Sequence, residues 1–177
     1  MRETYCMDYK EFQKSEFASF FNLQEIERIQ EPNGSARIHL KTGGFQEFVD
    51  IELKLDASLR LRQASLELAR AWIGDEDSLN PFAKDICKSF IHDLTDVSNK
   101  KIRDLVEGIW ELHGKKDEVI YLKPPVPSAT RSAETRTAIK VFSGVLPLLE
   151  LKFPEFNLKM ENIEIAGKTL LRIILSF

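Results

Sequence analysis

Ala36-Arg37-Ile38-His39-Leu40-Lys41, then Thr42-Gly43-Gly44, then Phe45-Gln46-Glu47-Phe48-Val49-Asp50-Ile51-Glu52-Leu53-Lys54-Leu55: this run decides the fold. Ala36, Ile38 and Leu40 alternate with Arg37, His39 and Lys41, a period of two that puts apolar side chains on one side of a β-strand and polar ones on the other. In the next segment Phe45, Val49, Ile51, Leu53 and Leu55 share one face, and Gln46, Asp50, Glu52, Lys54 and Asp56 share the other, with Phe48 out of pattern. Joined at Thr42-Gly43-Gly44, the two segments predict an antiparallel pair with one face packed and the other in water.

Working outward, residues 59–73 read as a third meander strand after an Asp56-Ala57-Ser58 turn, with a register slip near Gln63. A helix is the competing reading, but on a helical wheel the apolar residues spread over too wide an arc. Asn80-Pro81 supplies an N-cap and a first-turn proline for a helix that turns Phe82, Ala83, Ile86, Cys87, Phe90, Ile91 and Leu94 inward and Lys84, Asp85, Lys88, His92 and Asp96 toward water. Ser98 caps a second helix, carrying Ile102, Leu105, Val106, Ile109 and Leu112 inward, and Gly114 ends it. A short strand is expected at 119–122, an irregular loop at 123–132, and a helix from Ser132 that Pro147 kinks or ends. A last hairpin joins Leu158–Ile165 to Thr169–Leu175 through Ala166-Gly167. Its second strand is nearly all apolar, which predicts a central strand covered on both faces.

Upstream, Tyr9, Phe12, Phe17 and Phe20 give residues 8–21 an aromatic helical face, and a second short helix is expected at 23–30. That face serves either as core or as a docking element for a partner groove. Together these elements predict an α+β fold: an antiparallel N-terminal meander and a C-terminal hairpin packed with a helical hairpin and a further helix, all in one globular domain spanning 1–177.

Composition narrows the function classes. The 177 residues are 43% hydrophobic and 30% charged, enough apolar material for a core without metal or disulfide. The N-terminal residues lack the apolar stretch of a secretory leader and no window is long and apolar enough to cross a bilayer, so a cytoplasmic location with no membrane contact is expected. Cys6 and Cys87 have no paired metal-site spacing, and no metal and no cofactor are expected. Residues 1–114 carry 15 basic and 21 acidic side chains, and residues 115–177 carry 10 and 7, so the C-terminal third is the basic part. An acidic whole disfavours nucleic acid, which needs a basic field.

Motifs of high specificity are missing: there is no P-loop, no G-x-G-x-x-G, no nucleophile elbow and no H-E-x-x-H. His92 one turn from Asp96, and Ser98 three residues before Lys101, both have ordinary surface and capping explanations. The richest constellation is Lys115, Lys116, Lys123, Arg131, Arg136 and Lys140, where a Ser/Thr-rich loop enters a helix, an arrangement suited to a phosphate, a carboxylate or an acidic partner. The expected function is a non-enzymatic protein-binding module, such as an adaptor, a chaperone-like or neutralising partner, or a small subunit. The alternatives are an anion-binding protein or enzyme using loop 123–137, and an accessory nucleic-acid contact through the basic third.

Overall fold

The computed structural model describes residues 7–75, 78–95, 100–110 and 132–177. Seven strands form one antiparallel sheet: β1 (Gln24–Gln30), β2 (Ala36–Lys41), β3 (Val49–Leu55), β4 (Leu61–Ala69), β7 (Leu148–Lys152), β8 (Asn157–Ile165) and β9 (Lys168–Ser176). Their spatial order is β1-β2-β3-β4-β9-β8-β7. Helices α1 (Tyr9–Gln13), α2 (Glu16–Phe20), α3 (Arg70–Ile73), α4 (Pro81–Leu94), α5 (Lys100–Trp110) and α6 (Ala133–Phe142), with a two-residue hairpin β5 (Gly74–Asp75) and β6 (Ser78–Leu79), complete the described chain. The architecture is the α+β arrangement expected of the alternating segments.

The alternation does what it predicts. Ile38, Leu40, Val49, Ile51, Leu53, Leu66, Leu68, Leu171 and Ile173 are buried in one core with Phe90 and Ile91 of α4, Ile102 and Leu105 of α5, and Ala138 and Phe142 of α6. The opposite sheet face carries the polar set. Segment 59–73 resolves as the strand β4 followed by the one-turn helix α3, and a bulge sets Lys54 opposite Gln63 but Leu55 opposite Leu61. Asn80 caps α4 through Phe82 N–H at 3.0 Å, with Pro81 in the first turn.

Five expectations are corrected. The aromatic helix at 8–21 is two helices, because Ser15 leaves helical geometry and its hydroxyl accepts from Ala18 N–H at 3.1 Å, restarting the helix. Residues 24–30 are strand β1, not a helix: a bulge between Glu25 and Glu27 throws Ile26 out of register, so Ile26 and Ile29 show a helix-like spacing of three within a strand. After Pro147 the chain forms the edge strand β7, paired Leu149 to Met160, where a helix tail was read. β9 is central, but only Leu171, Ile173 and Leu175 are fully buried; Leu170, Arg172 and Ile174 on the other face are half-buried. Lys84, expected in water, is buried. The strand expected at 119–122 lies outside the described residues.

One polar knot ties the helices to the sheet. The half-buried Arg70 guanidinium donates to Phe142 O at 2.6 Å, Gly74 O at 3.1 Å and Asn162 Oδ1 at 3.1 Å. Asn162 Nδ2 in turn donates to Val141 O at 2.8 Å and Leu146 O at 2.9 Å, so the end of α6 is satisfied from α3 and β8.

Candidate functional site

The seven residues Thr42–Phe48 that link β2 to β3 are longer than a tight turn needs, and their geometry is specialised. Gly43 N–H donates to Phe21 O at 2.9 Å, and a Cβ on Gly43 would stand 2.8 Å from Asn22 Nδ2, so a larger residue there would have to push the Asn22 side chain aside. Thr42 Oγ1 donates to Gly44 O, folding the loop back on itself. Phe45 then takes φ +57°, a left-handed conformation that costs an ordinary residue about 1–2 kcal/mol. The consequence is a ring turned away from the sheet, 5.4 Å from Trp72 of α3 and 5.3 Å from Phe82 of α4. Phe48, the residue that broke the alternation, also stacks on Trp72, at 5.8 Å with the rings near parallel.

Facing these rings, Phe20 and Phe21 at the end of α2 meet edge-on at 5.0 Å. Between the two groups lies an open cleft of about 330 Å³, completed by Asn22, Val49 and Ile86. Phe20 is 78% exposed, Phe82 54% and Phe45 49%. A single exposed ring is ordinary, whereas several bordering one cleft are the kind of apolar patch that marks an interaction site. Among the described residues lining the cleft none is titratable, so it offers apolar surface and backbone polarity rather than a proton or a nucleophile.

Phe20 also borders a second depression, of about 300 Å³, with Glu16, Asp85, Lys88, Ser89, His92 and Asp93. Asp93 Oδ2 accepts from Phe17 N–H at 2.5 Å, satisfying the first turn of α2 from a neighbouring helix, while its Oδ1 lies 2.9 Å from His92 Nδ1. Burial pushes the Asp85 carboxyl above its usual range, against the pull of Lys88 and Lys84. A third depression, about 360 Å³, lies on the open sheet face around Gln63 and Ser65. Its charged walls are paired with one another, His39 Nε2 at 3.1 Å from Glu52 and Arg172 at 2.6 Å from Glu67. Cross-strand pairing of this sort is the ordinary finish of a wet sheet face.

Comparison with protein-family models, with curated proteins and with solved structures finds no match to this chain.

The residues singled out from sequence are dispersed. Tyr9, Phe12 and Phe17 are buried: Phe12 packs edge-on to Phe17 at 6.4 Å, and Phe17 lies 5.6 Å from Phe90 of α4. Of the aromatic docking set only Phe20 is presented outward, because the break at Ser15 lets α2 turn Phe17 inward and Phe20 out. Tyr9 OH donates to Glu25 at 2.8 Å beneath the Arg28 guanidinium, and burial together with the Glu25 charge pushes its pKa up to about 12. Arg136 and Lys140 are exposed on α6, whose N-cap Ser132 accepts from Thr135 N–H with its own side chain at 3.1 Å. Lys115, Lys116, Lys123 and Arg131 lie outside the described residues. Cys87 is fully buried and its thiol pushed far up, so it has no reactive character. No group of three or more His, Cys, Asp or Glu among the described residues converges as metal ligands would, and no helix among them is long and apolar enough to cross a membrane.

Sequence reading missed Phe21, Phe45, Trp72 and Phe82 as a group. The available signals were local: Phe48 disturbs the β3 alternation, and Phe82 falls within the inward arc of α4. Neither signal names the other's partner, since the cleft is assembled from α2, the β2–β3 loop, α3 and α4.

Proposed function

We propose that this chain is a protein-binding module that receives a bulky apolar side chain of a partner in the cleft between Phe20–Phe21 and Phe45–Trp72–Phe82. One observation carries the reading: three large rings are left in water around one cleft, and one of them, Phe45, is held there in a strained backbone conformation. Strain that places an apolar ring in solvent works against folding stability, and such strain concentrates at binding sites. The open shape and a volume near the lower limit of small-molecule pockets, roughly 300 Å³, suit a side chain projecting from a larger body better than an enveloped metabolite. Aromatic residues are also the commonest anchors of protein interfaces.

The test places the photoreactive analogue p-benzoylphenylalanine at position 20 in the full chain, with the same group at Lys159 on the open sheet face as control. Irradiation in the native cell is expected to give a discrete protein adduct from position 20, absent from position 159 and removed by Phe82→Ala. Truncating a ring at an anchor site typically weakens binding about tenfold or more. Equal adducts from both positions, or none, would overturn the reading.

A further inference from the structure

Resting on the proposed cleft, we infer that the partner segment pairs its apolar anchor with a lysine or arginine, the anchor entering the aromatic cleft and the cation the carboxylate-bearing depression beyond Phe20. The two depressions share Phe20 as a ridge and α4 as a wall. Phe82 and Ile86 border the first, while Asp85, Ser89 and His92 border the second. Their centres are displaced by roughly five residues along α4, which at about 1.5 Å per residue is about 7–8 Å. Side chains at i and i+2 of an extended segment lie about 7 Å apart, and those at i and i+4 of a helix about 6 Å apart. One short segment therefore reaches both depressions.

Charge selects the second side chain. Glu16, Asp85 and Asp93 bring three carboxylates to the depression, against one lysine and one histidine. Asp93 is committed to Phe17 N–H, but Glu16 is exposed at the start of α2 and burial disfavours the charged form of Asp85. An arriving cation favours that form, whereas a carboxylate would disfavour it further. Phe20 contributes as well. The aliphatic stem of a lysine or arginine crossing the ridge lies along an exposed ring, and its charged head is drawn to the aromatic face. The segment 1–114 that builds both depressions is also the acidic part of the chain.

The experiment is selection of a phage-displayed random 12-residue library on the immobilised full chain at low salt, followed by anisotropy titration of the enriched sequences as synthetic peptides. Enriched peptides are expected to carry a bulky apolar residue with Lys or Arg two or four positions away. Changing that base to Gln is expected to weaken binding roughly three- to tenfold. The Glu16→Gln/Asp85→Asn chain should lose the same factor toward the basic peptide and nothing toward its Gln form, a non-additivity that a merely structural role of the two acids would not produce. If apolar anchors are enriched with no basic neighbour, or the cycle closes at zero, the basic requirement falls while the apolar cleft stands. If no anchor is enriched, or binding is indifferent to Phe82→Ala, the cleft itself falls and this inference with it.

Discussion

Asp85 is a carboxylate that folding penalises. Burial raises its pKa, and the nearby Lys88 and Lys84 offset this only in part. An acid bound more tightly to its proton in the folded than in the unfolded chain lowers stability once the pH exceeds its unfolded value, about 3.9, and has no effect below it, where both states are protonated. Asp85→Asn is therefore expected to raise the thermal midpoint at pH 7, with the gain shrinking to nothing as the pH falls through about 4. Melting curves at a series of pH values check this, and a lower midpoint at pH 7 would show the carboxylate to be fully compensated. Phe45 poses the same contest in backbone form. Phe45→Gly removes the left-handed strain but forfeits half-exposed ring packing, so stability should stay within about 1 kcal/mol of the parent in urea titration while affinity for apolar-anchored peptides falls. Ala166 at φ +50° and Gly167 at φ +76° form the two-residue turn between β8 and β9, both in the conformation for which Asn-Gly is the preferred pair. Ala166→Asn should gain about 0.5–1 kcal/mol with no effect on binding, which separates strain at a turn from strain at the cleft.

Among the described helices α3 is the shortest, yet its Arg70 ties three segments together. Arg70 serves three acceptors from α6, β8 and its own C-cap, and the planar fork of a guanidinium is what allows one side chain to do so. Arg70→Lys keeps the charge but cannot span the three, and should cost about 2–3 kcal/mol, read as a lowered urea midpoint at unchanged slope. This knot and the cleft share a property that hid them from sequence reading: each joins segments far apart in the chain. What alternation encodes was legible, namely β2, β3, β4, β8 and β9, as was the start of α4 at Asn80-Pro81, because each is written in neighbours a few residues apart. β1 was not, since the bulge at Ile26 replaces a period of two with a spacing of three. β7 was not, since Leu146 and Leu149 continue the helical period of α6 across Pro147. Phe20 was legible as part of an aromatic face but not as its only outward member, because one capping hydroxyl at Ser15 decides the rotation of α2. Phe45 and Phe82 were read as core for the same reason that most phenylalanines are core, and only the contacts across the cleft distinguish them.

At the scale of the molecule, the sheet is two meanders joined at a single seam. β1 to β4 are consecutive hairpins, β7 to β9 are likewise, and the pairing of Gln63–Ala69 with Leu170–Ser176 makes one sheet of them. Across that seam Leu66 pairs with Ile173, and both are fully buried in the core that also receives α4, α5 and α6. A seam of this kind decides whether the halves are cooperative. Hydrogen bonds between edge strands alone would let the C-terminal meander open by itself, whereas a shared core makes each half expose apolar surface when the other leaves. The expectation is one transition. In a Trp110→Phe background, where Trp72 is the one tryptophan left and lies in the N-terminal half of the chain, fluorescence and far-UV circular dichroism should give coincident urea curves. Ile173→Ala, a core deletion about 100 residues away in sequence from Trp72, should shift both curves together by about 2–5 kcal/mol. A Trp72 curve left in place while the dichroism curve moves would show that the two meanders unfold separately, and the cleft, to which the second meander contributes no lining residue, would then be expected to keep its peptide affinity after that meander has opened.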